Sequence, residues 1–258
     1  MEILANIRKE RAKLTKGMYR AKGRSVQSEP YLKEGDVIVF GAFDESNQQV
    51  RFEYEEPIRL TTTINGQKET KSAQHGYRLL KTPNKTFVTE WYENKPPMFD
   101  FIEKPADYEP SNIGKPIDVR SFGIANWGTV HTRMTCEEML DDLAKAKVIE
   151  IKIDNGKCVI TYEFVDARVS YWIECERGFT VTRFNCDVFD KKTKKWIESM
   201  SRADVTWEEK NDVWVPISLI LEAKFNGKEV YNIDLEWEYV NLDPPPKVFD
   251  LRAMMEGE

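Results

Sequence analysis

The chain carries two histidines, His75 and His131, in separate segments, and neither stands in a spacing used by metalloproteases or catalytic triads. An imidazole works as base, switch or ligand beside a partner. His75, in a polar stretch, therefore reads as a solvent-exposed turn residue and His131 as a loop residue ahead of a helix. The four cysteines, Cys136, Cys158, Cys175 and Cys186, show no C-x-x-C spacing, which speaks against zinc. Carboxylates cluster in Glu53-Tyr54-Glu55-Glu56, in Glu137-Glu138 with Asp141-Asp142, and in Glu208-Glu209. Acids paired across a cleft could hydrolyse a glycosidic bond, but most of these fall in expected turns or on helix faces, where acids near an N-terminus suit the helix dipole. Glycines are scattered and build no phosphate cradle. The residues imply no catalytic group, no metal and no cofactor.

A basic run, Lys191-Lys192-Thr193-Lys194-Lys195, lies between Phe189 and Trp196 and fits a solvated hairpin tip, with contact to anionic headgroups or an acidic partner as the alternative. The 258 residues are 41% hydrophobic and 12% aromatic, enough for a sizeable core. A formal net charge of −6 with both signs interspersed argues against a phosphate backbone, so nucleic acid is not an expected partner. No apolar run reaches bilayer-spanning length, and Met1 to Lys16 is charged and helical in pattern, unlike a secretory signal. The chain reads as soluble, either cytoplasmic or separated from a targeting segment.

These side chains need elements to hold them. Ile3, Ile7 and Leu14 mark one face of a basic leading helix that Gly17 should stop. A meander follows: Met18 to Ser28, Val37 to Phe43, the turn Asp44 to Asn47, Val50 to Tyr54, Ile58 to Ile64 with Asn65-Gly66, then Tyr77 to Lys81 and Phe87 to Tyr92. Glu93 to Pro116 holds five prolines with Phe99, Phe101 and Tyr108; it cannot be a central strand and is expected as a loop packed on the body. Thr135 with Glu138 makes a capping box for a helix to Lys147, striped by Met139, Leu140, Leu143 and Ala146.

From Val148 to Leu242 the pattern is strand after strand. A two-residue turn at Asp166-Ala167 would set Cys158, Ile160, Tyr162 and Phe164 opposite Cys175, Ile173, Tyr171 and Val169, all on one face. A second turn at Arg177-Gly178 brings Phe184 and Cys186 opposite Tyr171 and Val169. Near Asn226-Gly227 a bulged turn would align Val215, Ile217, Leu219 and Leu221 with Tyr231, Ile233, Leu235 and Trp237. Pro244-Pro245-Pro246 ends the pairing. Cys158 and Cys175 are the best candidates for a disulfide, with buried free thiols as the alternative.

The order of helix, meander, mid-chain helix and closing meander resembles that of LolA-like outer-membrane lipoprotein carriers. The residues that carry the likeness are Arg51-Phe52-Glu53-Tyr54-Glu55-Glu56-Pro57 with Ile64-Asn65-Gly66, which are similar to the family's R-W-x-Y-x-x-P segment and later turn. Trp207 to Pro216 and Val248-Phe249-Asp250-Leu251 look like relatives with a longer C-terminal half. The family's Arg-Pro pair before that segment is missing from Gly41 to Gln49, so its lipoprotein-handover mechanism is not carried over. The resemblance implies an extracytoplasmic, periplasmic setting.

The expected fold is α+β, a single domain over residues 1–258: a strongly curved antiparallel sheet, an incomplete β-barrel, covered by helices. The expected function is non-enzymatic binding or transport of a lipid or acylated protein by a monomer that touches the membrane surface transiently. The expected cavity wall is Ile160, Tyr162, Tyr171, Phe184, Leu219, Ile233, Leu235 and Trp237, since such cavities are apolar and sit at barrel mouths. An envelope sensor or protein scaffold without lipid is the alternative.

Overall fold

A computed structural model describes residues 2–27, 33–64, 67–92, 101–108, 116–124, 134–224 and 228–256. Among the described residues thirteen strands follow the order β6-β5-β4-β3-β2-β1-β13-β12-β11-β10-β9-β8-β7, and the end strands β6 and β7 are not neighbours there, so the sheet is not closed. The chain forms two compact units, one of Met1–Leu14 with Ile117–Asn232 and one of Thr15–Pro116 with Ile233–Glu258.

The second of these units is built from β1 (Lys16–Gln27), β2 (Lys33–Asp44), β3 (Gln49–Ile64), β4 (Gln67–Lys81), β5 (Lys85–Tyr92), β6 (Ile102–Pro105) and most of β13 (Glu229–Val240). Gly17 does not stop the leading helix but lies inside β1, where a Cβ would come within 2.9 Å of the Trp237 ring. The β2–β3 turn is held by Asp44, whose carboxylate accepts from Ser46 Oγ at 2.6 Å, Asn47 Nδ2 at 2.8 Å and Asn47 N–H at 3.2 Å. Where two strands were expected around Pro57, β3 runs through unbroken. Its ladder with β2 ends at Ile38–Glu55 while that with β4 continues past Pro57–Gln74, so the missing N–H faces the side that makes no ladder bond. β4 likewise starts ten residues earlier than its Tyr77 to Lys81 core suggested. Ile102–Pro105 pairs with β5 as an edge strand rather than lying in a loop; residues 93–100 and 109–115 of the expected proline-rich loop are outside the described residues.

The other unit holds α1 (Glu2–Arg11), a 3-10 turn at Val119–Ser121, α2 (Cys136–Lys145), β7 (Lys147–Asp154), β8 (Lys157–Glu163), β9 (Ala167–Glu174), β10 (Thr180–Asp190), β11 (Lys195–Lys210) and β12 (Val213–Ala223). The capping box forms as the sequence predicts: Thr135 Oγ1 accepts from Glu138 N–H at 3.2 Å while Glu138 Oε2 accepts from Thr135 N–H at 2.7 Å. α2 buries Cys136, Met139, Leu140 and Leu143, and α1 buries Leu4, Ile7 and Arg11. Arg8 ties the helices together through Glu137 at 2.7 Å and Asp141 at 2.6 Å.

The β8–β9 register differs from expectation by two residues: Cys158 faces Ile173, Ile160 faces Tyr171 and Tyr162 faces Val169. Phe164 N–H donates to Ala167 O at 2.8 Å, closing a longer loop that leaves Val165 94% exposed and Phe164 outside the strand. A slip of two keeps every side chain on its face, because strand side chains alternate with period two. The next hairpin matches its prediction, with Phe184 opposite Tyr171 and Cys186 opposite Val169. The basic run is a turn between β10 and β11: Asp190 accepts from Lys192 N–H and Thr193 Oγ1, and Lys191 pairs with Asp166 at 2.6 Å. The expected bulged turn at Asn226-Gly227 lies outside the described residues.

Candidate functional site

Alternation along β8 to β12 gathers one apolar face, called inner here: Cys158, Ile160 and Tyr162; Val169, Tyr171 and Ile173; Phe184 and Cys186; Ala203 and Val205; Leu219 and Leu221. All are buried. The cover is built locally. Gly123, at φ +79, lets the chain lie so close to β10 that a Cβ there would stand 2.4 Å from Val181 O. The same carbonyl accepts from Trp207 Nε1 at 3.0 Å, and Tyr171 Oη donates to Ile124 O at 3.1 Å. Asp118 joins this turn to α2 by accepting from Cys136 N–H at 2.9 Å.

Five of the eight expected wall residues thus share one wall of this unit: Ile160, Tyr162, Tyr171, Phe184 and Leu219. Ile233, Leu235 and Trp237 belong to the other unit, where Leu235 and Trp237 are buried, Ile233 is half-buried, and the Trp237 ring stands 5.1 Å from that of Tyr19.

The inner face does not stop at β8. On β7, Val148 faces Tyr162, Ile151 faces Ile160 and Ile153 faces Cys158, with Ile149 in a bulge between. Ile151 is 64% and Ile153 73% exposed, while their opposite numbers Ile160 and Cys158 are buried. The other side of β7 is charged: Lys147, Glu150, Lys152 and Asp154. The wall therefore ends in an uncovered apolar margin on an edge strand. Sequence reasoning missed its exposure, although V-I-E-I-K-I-D carries the alternation of a half-buried strand; nothing in that alternation says whether a cover will reach the apolar side.

The reactive groups are quiet. Burial pushes the thiols of Cys136 and Cys186 up to about 12 and about 11, so both stay protonated near neutral pH. The Cys175 thiol is also raised, by burial and by Cys158, to which its side chain is hydrogen-bonded; the two are free thiols. Burial holds the phenols of Tyr162, at about 12, and Tyr171 above their ordinary value. His75 is not in a solvated turn as expected: it lies in β4 and is buried. Its Nε2 is 2.9 Å from Glu90 Oε1, its Nδ1 4.0 Å from Glu56 Oε1, and its ring stacks on Tyr92 at 4.8 Å. His131 is outside the described residues. Among the described residues no group of three or more His, Cys, Asp or Glu could hold a metal ion, and no helix is long and apolar enough to cross a membrane.

Arg51, from the segment that carries the resemblance, is buried; it pairs with Glu53 at 2.5 Å, lies 4.8 Å from the Phe40 ring and donates to Val248 O at 3.3 Å. Its part is to fasten the Pro246–Phe249 turn to the sheet of its unit.

An open antiparallel sheet with a few short helices is the class of fold these elements define. No family model and no curated protein matches the chain. Among solved structures it is similar to a LolA superfamily protein from Nitrosomonas europaea, at TM-score 0.47 and 10% identity over 97% of each chain. It is also similar to a proposed outer membrane lipoprotein-sorting domain from Vibrio parahaemolyticus, at TM-score 0.47 and 7% identity over 98% of this chain and 97% of that one. A DUF1329 family protein from Desulfovibrio piger shows TM-score 0.46 and 12% identity over 98% of this chain and 96% of that one. At these scores and identities the likeness says nothing of ligand or partner.

Proposed function

We propose that the chain is a non-catalytic binder or carrier that holds the apolar chain of a lipid or acylated protein against the inner face of its helix-capped unit. The observation that carries this reading is the β7 margin: Val148, Ile149, Ile151 and Ile153 are apolar and exposed, and they continue a buried wall of the same character. Surface of this kind is costly to leave in water and marks a place for a partner or ligand. Ile160 and Tyr162 form the wall next to the margin, and Tyr171, Phe184 and Leu219 lie deeper under the cover. Ile233, Leu235 and Trp237 are the corresponding apolar row of the other unit. An extracytoplasmic, periplasmic location and transient contact with a membrane surface belong to the same reading. There the thiols of Cys158 and Cys175 would close into a disulfide, seen as two residues that resist thiol labelling until reduced.

The test is a fluorescent palmitoyl probe titrated into purified protein, with native mass spectrometry for co-purifying lipid. Wild type should bind the probe, and Ile151→Glu with Ile153→Lys should bind it far more weakly while keeping the fold. No binding by wild type, or equal binding by the double variant, overturns the reading. The edge of β7, which pairs with no further strand among the described residues, favours a second one, addition of a strand from a protein partner without lipid. In that case the protein is lipid-free and ignores the probe.

A further inference from the structure

The outward face of the same strands carries a feature of different chemistry. An open pocket of about 490 Å³ lies over β8 to β11 and the β7–β8 turn, within the range of roughly 300–1,000 Å³ common for small-molecule sites. Most of the lining comes from positions that alternate with the buried inner row, with Trp172 beside Tyr171, Arg183 beside Phe184 and Asp204 between Ala203 and Val205, while Val205 and Trp207 also border it. Three acids, Asp154, Glu174 and Asp204, face three cations, Lys157, Arg177 and Arg183, so the formal charges of the lining cancel.

The groups are held in place before any ligand arrives. Trp172 Nε1 donates to Asp154 Oδ2 at 3.0 Å. Lys157 Nζ pairs with Glu174 at 2.9 Å and donates to Thr182 Oγ1 at 2.9 Å. Arg177 holds the other Glu174 oxygen at 3.1 Å, and Arg183 Nε pairs with Asp204 at 2.5 Å. Both oxygens of Glu174 are engaged in this way, and the second oxygen of Asp204 accepts from Arg202 Nε at 3.0 Å. The Arg183 guanidinium carbon stands 5.8 Å from the centre of the Trp172 ring, and the second oxygen of Asp154, the amide of Asn155 and the hydroxyl of Thr206 add donors and acceptors to the lining.

A phosphate or other anion would meet three carboxylates here, and a cation would meet two guanidiniums and an ammonium. A neutral polyol meets no such conflict, because every hydroxyl both donates and accepts, and the C–H face of a pyranose suits an aromatic ring whose polar edge is already satisfied. We propose that this pocket, over Trp172, Arg183, Asp154 and Asp204, binds a neutral saccharide on the face of the sheet opposite the apolar wall.

The proposal is independent of the lipid reading and is tested on the full chain. An array of neutral glucose-, mannose-, galactose- and N-acetylglucosamine-based oligosaccharides identifies the bound sugar, and calorimetry with that sugar gives its affinity; sulfated oligosaccharides and inorganic phosphate serve as anionic comparators. The expected result is retention of a neutral oligosaccharide by wild type and a loss of about tenfold or more on Arg183→Gln or Trp172→Ala, as befits removal of one charge-assisted hydrogen bond or the stacking surface. Arg183 is partly exposed, so Arg183→Gln gives a folded variant, checked by circular dichroism, should Trp172→Ala misfold. Failure of every neutral oligosaccharide to bind, preference for the anions, or affinity undisturbed by Arg183→Gln overturns the proposal.

Discussion

β7 and β8 are hydrogen-bonded neighbours with the same alternation and with isoleucines directly opposite each other, yet Ile160 is 3% exposed and Ile151 64%. What separates them is the layer above. Ile124 lies over Tyr171 of β9 and the Val119–Ser121 turn lies against β12, with α2 packed on that turn, and the described residues put nothing comparable over β7. Alternation decides which side of a strand is apolar; burial is decided by whatever else the chain places there.

That contrast can be broken or sharpened by substitution. The largest effect is expected at Phe184, fully buried between Tyr171 and Ala203, where Phe184→Ala should cost about 3–5 kcal/mol in urea unfolding. The sharpest comparison is the facing pair. Ile160→Ala should cost about 2–4 kcal/mol and Ile151→Ala less than about 1 kcal/mol, although the same atoms are removed. Equal losses would mean that β7 is covered in solution.

The cover itself can be probed at Arg11, which is buried over the Trp207 ring at 3.7 Å with Nε and Nη2 lacking a hydrogen-bond partner among the described residues. Burial lowers its pKa to about 10, offset in part by Cys136, Asp118 and Glu10, so the folded state disfavours the charged form. The penalty is present in full below that value and is relieved as pH rises through it toward the ordinary arginine range. Arg11→Met should therefore raise stability at neutral pH by about 1–2 kcal/mol, read from chemical denaturation. A loss would show that the cation–π contact outweighs the unpaired donors.

The smallest effect is expected on the outward side of β8 and β9. Burial alone would raise the Glu174 carboxyl, but Lys157 and Arg177 outweigh it and hold it below its ordinary value. Its contribution is complete above the usual glutamate range and is lost as pH falls through the lowered folded value. Glu174→Gln should cost less than about 1 kcal/mol at pH 7 and nothing in strong acid, as expected of a partly exposed ion pair.

Much of the fold was legible because faces are robust to error. The β8–β9 register was wrong by two residues, and the inner face came out right all the same, since only an odd slip turns a strand over. The capping box at Thr135 and the Arg177-Gly178 hairpin were equally plain, being written in local chemistry. Pro57 misled, because proline breaks a strand only where its N–H would be needed, and that depends on which neighbour continues alongside. His75 misled for a related reason: polar neighbours suggested solvent, whereas Glu56, Glu90 and Tyr92 arrive from adjacent strands to surround it. The candidate site was half legible. Its wall was readable from alternation, its uncovered margin was not, and the outward pocket leaves no mark in the apolar phase of the strands that carry it.

The β7–β8 turn, Asn155-Gly156, joins these two surfaces more closely than their separation across the sheet implies. Ile153 ends the apolar margin and Asp154, the next residue, begins the lining of the outward pocket. Asn155 and Gly156 both have positive φ, which makes this a tight two-residue connection. Occupants of the two faces would therefore share a single peptide unit as their common support. Linkage then requires that whatever factor one applies to the affinity of the other be returned unchanged, which makes this turn the place where the two surfaces would settle a single coupling free energy.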